Sequence, residues 1–305
     1  MIVRPRPKAW QLLFIMRGSI VPHIWRQVLM ITVIAGAIVT FERLGILRIP
    51  PIGALPFSLM GIALSIFAGF RNSACYDRWW EARKILGQLV IEARNLSRQA
   101  QVYVKAADRD AAAGLSTLTI AFASALRHHL RETSGEADLQ RWLAPDAVRE
   151  VVARRNVPNA LLDRLGGIVA DLLRRGVITD RIVQILEDRI AALSAVLAAC
   201  ERIKATPLPY AYTLLLHRTC YAFCMLLPFG LMDSAGLATP LFAAVVSYTF
   251  FGLDILGEEL ERPFGDDDNA LPLDAICRTV EISVLETTGL GPVPEPLGPK
   301  DFVLL

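Results

Sequence analysis

Three consecutive aspartates, Asp266, Asp267 and Asp268, followed by Asn269, offer hard oxygen ligands of the kind that hold Ca²⁺ or another divalent ion. They lack the alternating spacing of an EF-hand loop, and an acidic turn capping a helix is the plain alternative. His217, Cys220 and Cys224 stand at i, i+3 and i+7, on one side of a helix, and their donors suit a borderline-soft ion such as Zn²⁺. No fourth ligand stands nearby, and cysteines on such a face also serve as small core hydrophobes. Arg218 and Asp254 are ionisable groups in or beside apolar runs, where such residues pair, snorkel or line an aqueous cavity. Adjacent His128 and His129 point to different sides of a helix and read as surface residues. A further chemistry needs no ligand at all. Ile62, Ile66 and Phe70 form a helical stripe, beside the small residues Gly61, Ala63, Ser65, Ala68 and Gly69. A ring of such stripes around an axis makes a hydrophobic constriction that gates by dewetting. The same stripe also describes an ordinary lipid-facing or core surface.

Several function classes are unsupported. The chain has no nucleophile elbow, P-loop, dinucleotide-binding glycine pattern or HExxH motif. Its five cysteines form no CxxC pair, and their odd number argues against a disulfide framework. A net charge of +2 without runs of like charge gives no sign of nucleic acid as a partner. The N-terminus lacks the apolar run and cleavage site of a signal peptide.

Residues are 53% hydrophobic, yet 20% are charged, a mixture that fits membrane helices attached to a water-exposed helical body. The stretch from Pro56 to about Ala106 contains no further proline and reads as one long helix, apolar in its first half and charged in its second. Apolar runs at Val28–Phe41, Ile49–Phe70, Tyr210–Met232 and Leu237–Leu253 give four expected spans, with Pro50 and Pro51 turning the chain between the first two and Asp233–Gly236 between the last two. Basic residues Arg4, Arg6, Lys8, Arg17 and Arg26, interleaved with Trp10 and Trp25, and then Arg71, Arg78, Arg83 and Lys84 after the second span, place both flanks in the cytoplasm. The expected organisation is an interfacial segment 1–26, spans in 27–71, a cytosolic helical region 72–206, spans in 207–257 and a cytosolic segment 258–305. Within the soluble region, Leu115–Leu130, Val148–Val152 and Leu161–Leu173 are periodic, and Thr179 is the expected N-cap of a helix reaching about Lys204.

FRNSACYDRWWEARKILGQL (Phe70–Leu89), ATPLPYAYTLLLHR (Ala205–Arg218) and EELERPFGDDDN (Glu258–Asn269) resemble the bestrophin family, particularly its bacterial members, in order and over nearly the whole chain except the C-terminal tail. The resemblance implies an all-α, four-span membrane protein with a cytosolic helical bundle, assembled as a homopentamer around one central pore. It implies a channel in the bacterial inner membrane, with both termini cytoplasmic, lipid around it and no required cofactor. Carried onto this chain, the hydrophobic neck is Ile62, Ile66 and Phe70, and a second cytosolic constriction falls at Ile182, with Ile178 as a rival. Animal members bind Ca²⁺ through an acidic cluster that matches Asp266, Asp267 and Asp268, but Asn269 and Ala270 interrupt the acidic run here. Bacterial relatives imply passage of monovalent cations, Na⁺ or K⁺, with a chloride or other anion channel of the same fold as the alternative. Two rivals from other classes remain. One is a membrane-embedded metal-dependent enzyme pairing Asp266–Asp268 with Glu258 and Glu259. The other is a non-conducting scaffold.

Overall fold

The structure, a computed structural model, describes residues 1–5, 8–16, 18–46 and 53–304. Arg6, Arg17, Leu47, Arg48 and the segment 49–52, on which part of the expected second span and its Pro50–Pro51 turn rest, lie outside the described residues. Ten α-helices are described: α1 (Val21–Arg43), α2 (Leu55–Gln99), α3 (Arg109–Arg131), α4 (Glu136–Leu139), α5 (Pro145–Val152), α6 (Val157–Arg174), α7 (Asp180–Ala205), α8 (Tyr210–Ala235), α9 (Thr239–Glu261) and α10 (Leu273–Thr288). No strand occurs among the described residues; the extended pairings are isolated bridges.

The helices begin and end where local chemistry directs. Asp108 accepts a hydrogen bond from the Ala111 amide (2.9 Å) at the start of α3, and Asn156 accepts from the Asn159 amide (3.1 Å) at the start of α6. Proline occupies the first turn of α1, α5, α6 and α9, where its missing N–H is no loss. Gly289, at φ +68°, ends α10 in the left-handed conformation that glycine adopts freely. Thr179 does stand at the N-cap of α7, but its side chain caps nothing; its carbonyl accepts from the Ile182 amide instead. The turn expected at Asp233–Gly236 falls slightly later, because α8 continues to Ala235 and a single 3₁₀ turn, Gly236–Ala238, leads into α9.

The chain divides into two compact units. One comprises residues 4–79 and 207–263, the other residues 1–3, 80–206 and 264–305, and α2 supplies residues to both. In the first, Ile24, Ile31 and Ala35 of α1, Leu64 and Ala68 of α2, Leu216, Phe223 and Leu227 of α8 and Ala243, Phe250 and Phe251 of α9 form one buried apolar core. By length and composition, three helical stretches among the described residues can cross a membrane: Val21–Arg43, Leu55–Val104 and Tyr210–Glu261, the last containing both α8 and α9.

In the second unit, α3 packs against α6, α7 and α10, with Leu115, Phe122 and Leu126 fully buried. After Gln99 the long helix ends in a π-helical segment, Ala100–Val104, which itself packs against α3. The two termini pair with each other. The Val3 amide donates to the Phe302 carbonyl (2.8 Å) and the Leu304 amide to the Met1 carbonyl (2.9 Å). These backbone bonds tie down a tail rich in Pro and Gly.

Candidate functional site

At about 100° per residue, Ile62, Ile66 and Phe70 fall within roughly 80° of one another around α2. Leu64, Ala68, Arg71 and Cys75 form the opposite side, centred about 170° away. The structure treats the two sides differently. Leu64 and Ala68 are 2% and 1% exposed within the core against α8 and α9, whereas Ile62, Ile66 and Phe70 are 59%, 53% and 66% exposed. The three bulky hydrocarbons predicted from spacing are therefore not part of the subunit's own core.

Directly behind the stripe lies a charge cluster. Arg71, the residue after Phe70, is 1% exposed. Its Nη1 donates to Asp254 Oδ1 (2.8 Å) and to the Asp254 carbonyl (3.0 Å), and its Nη2 stands 3.8 Å from Glu261 Oε2. Asp254 Oδ2 is 2.6 Å from His217 Nδ1, so one carboxylate joins α2 to α8 and α9. Glu261 Oε1 accepts from the Leu208 amide (3.1 Å), and the Glu261 carbonyl accepts from Arg78 Nε (2.9 Å). Burying a guanidinium is costly unless it is paired and hydrogen-bonded, and these contacts meet that demand at Nη1 while Nε stays without a hydrogen-bond partner. Gly257 makes the approach of α9 possible: a Cβ there would lie 2.5 Å from Asn72 Oδ1 and 3.1 Å from Arg71 Nη1. The cluster thus fixes the rotation of α2 about its own axis, and with it the direction in which Phe70 points.

Asp254 was legible as an ionisable group that would pair, snorkel or line a cavity, and it pairs. Arg218, by contrast, is exposed. Arg71 and Glu261 stand inside the quoted family motifs but showed no sign of pairing with one cluster, and Gly257 carried no local signal. Of the two aperture candidates, Ile178 is buried within the subunit, while Ile182 is partly exposed.

The aspartate run contacts a neighbouring arginine and its own backbone. Asp266 is 3.3 Å from Arg131 Nε, and the Asp267 carbonyl accepts from the Ala270 amide. Among the described residues, no three His, Cys, Asp or Glu side chains converge as metal ligands. Cys220 and Cys224 are buried free thiols on the core side of α8, and His217 is spent on Asp254. Glu258 pairs with Arg262 at 3.4 Å.

The two adjacent histidines are not free surface groups. His128 bonds Asp138 (2.9 Å) and Thr133 (2.7 Å), and His129 bonds Glu201 (2.9 Å). Asp138 also takes a short bond from Arg127, which reaches Asp274 of α10 as well (2.7 Å). Burial pushes the Asp138 carboxyl up, but the His128 hydrogen bond and the Arg127 charge outweigh it and hold it below the usual carboxylate range.

One face of α2 is thus locked by buried charge, and the opposite apolar face is left uncovered by the chain itself, on a helix long and apolar enough to cross a membrane. Residues 1–286 match the family described as Bacterial/Fungal Bestrophin protein, and the chain belongs to that family. It is 47% identical over 293 residues to a voltage-dependent anion channel-forming protein of Mesorhizobium japonicum, covering 96% of this chain and 94% of the relative. It is 39% identical over 303 residues to one from Escherichia coli K12, covering 98% of each. The crystal structure of a bacterial bestrophin homologue from Klebsiella pneumoniae superposes with a TM-score of 0.83 at 39% identity, over 88% of this chain and all of that one.

Proposed function

We propose that the protein is an ion channel of five four-span subunits in a bacterial inner membrane, passing monovalent ions through a neck lined by Ile62, Ile66 and Phe70. The observation that carries this reading is the uncovered stripe on α2, opposite a face fixed by the subunit's own core and by Arg71. Brought together around an axis, three successive rings of hydrocarbon side chains offer an ion no ligands. They admit it only when the passage is wetted, so they gate strongly and discriminate charge weakly.

Four crossings follow from α1, the first part of α2, α8 and α9, and an even number agrees with the direct pairing of the two termini. Both termini then lie in the cytoplasm. For the second constriction Ile182 is the better choice than Ile178, because a side chain already buried in its own subunit cannot line a passage. No catalytic role is assigned to any residue.

Sodium and potassium are the favoured permeant ions. A second reading, chloride or another anion, is favoured by the names given to the Mesorhizobium and Escherichia relatives. Purified protein in planar bilayers separates these possibilities. Ile66→Ala with Phe70→Ala should raise the unitary current, and reversal potentials under asymmetric NaCl give the sign of the permeant ion. An unchanged current counts against the neck, and a protein that forms rings but never conducts would be a scaffold.

A further inference from the structure

We infer that Asp77 is the charge-selecting residue of this pore, a ring of carboxylates on the cytoplasmic side of the neck that favours cations. The inference rests on the pore reading above and adds to it the residue that chooses the ion. Beyond Phe70 the exposed register of α2 continues at i+3 and i+7 with Ser73 and Asp77, both exposed. The face that is purely hydrocarbon from Ile62 to Phe70 therefore turns polar, then acidic, without leaving the stripe.

The neighbouring charges point elsewhere. Arg71 and Arg78 lie on the core side of the helix, where Arg71 is held by Asp254 and Arg78 donates to the Glu261 carbonyl. Among the described residues, no hydrogen bond or ion pair engages the Asp77 side chain, so its charge is available to a passing ion.

Distance decides which charge governs the neck. Seven residues of helix place Asp77 about 10 Å along the axis from Phe70, close to one Debye length at physiological salt. Lys84, the next exposed charge on the same register after Trp80, follows at twice that separation along α2. Screening and distance together make its influence at Phe70 roughly sevenfold weaker than that of Asp77. Five screened carboxylates at about 10 Å favour a monovalent cation over an anion roughly five- to tenfold. Since the neck itself discriminates charge weakly, a preference of that size suffices to set selectivity.

The test uses the full-length protein in planar bilayers under asymmetric NaCl. Asp77→Asn is isosteric at an exposed site and leaves the Arg71 cluster untouched; Asp77→Lys reverses the charge. Ile66→Ala with Phe70→Ala serves as the pore control, and size-exclusion profiles confirm assembly of each variant. The expected results are a cation-preferring wild type, a roughly five- to tenfold lower Na⁺/Cl⁻ permeability ratio for Asp77→Asn, and inverted preference for Asp77→Lys. Wild-type reversal potentials in both Asp77 variants, alongside an enlarged current in the neck variant, overturn the assignment while leaving the pore reading intact. An anion-preferring wild type also overturns it. An unchanged current in the neck variant removes the pore reading, and the Asp77 assignment with it.

Discussion

Replacing Arg71 with methionine probes the cluster that orients α2. The substitution keeps an unbranched apolar stem of similar reach but removes the cation from between Asp254 and Glu261, whose side chains are 8% and 15% exposed. Removing one partner of a buried ion pair strands the other, at about 3–5 kcal/mol. At roughly 2 °C per kcal/mol, the detergent-solubilised protein should melt about 6–10 °C earlier. The stranded Asp254 still has His217 Nδ1 at 2.6 Å, and half of that imidazole is solvent-accessible. Adding Asp254→Leu should recover at least half of the lost stability, since a buried pair exchanged for apolar groups is close to neutral. Thermal melts followed by intrinsic tryptophan fluorescence read both quantities. A melting temperature for Arg71→Met within about 2 °C of wild type, or no recovery on adding Asp254→Leu, would refute the reasoning.

Three further expectations follow from the same geometry. Gly257→Ala drives a methyl group against Asn72 and Arg71 and should cost about 1–3 kcal/mol, visible as an earlier melt. Asp138, whose carboxyl is held below its ordinary range, contributes stability that is present above the unfolded carboxylate pKa and is lost as pH falls through the folded value. Acid titration of the melting temperature should therefore fall more steeply below about pH 4 in wild type than in Asp138→Asn, and parallel curves would contradict this. The Cys200 thiol, pushed up to about 12 by burial, should resist maleimide at neutral pH in the folded protein and react on denaturation, as mass spectrometry of the labelled peptide would show.

What the sequence disclosed was what helical periodicity encodes. The stripe of Ile62, Ile66 and Phe70, the helix without proline after Pro56 and the apolar runs are local patterns, and the structure realises each of them among the described residues. The partner of Arg71 was not local. Asp254 lies 183 residues away, and Gly257 is meaningful only once Asn72 is seen against it. His128 and His129 read as surface groups because nothing in the sequence brings Asp138 or Glu201 to them; the packing of α4 and α7 does that. The tail's partners, Met1 and Val3, are backbone groups at the far end of the chain and leave no local signal. Ile178 and Ile182 could not be ranked from spacing, since both lie near the start of α7 and only burial separates them.

Cysteine placed at Ile66 and exposed to a water-soluble thiosulfonate during single-channel recording tests the neck most directly. A thiol that faces a wetted passage ionises and reacts, whereas one against lipid or neighbouring protein does not. The account predicts that Ile66→Cys channels are blocked irreversibly within the recording while wild-type channels, with Cys75, Cys200, Cys220 and Cys224 buried, keep conducting. Ile66→Cys channels that carry full current through the same treatment would contradict it.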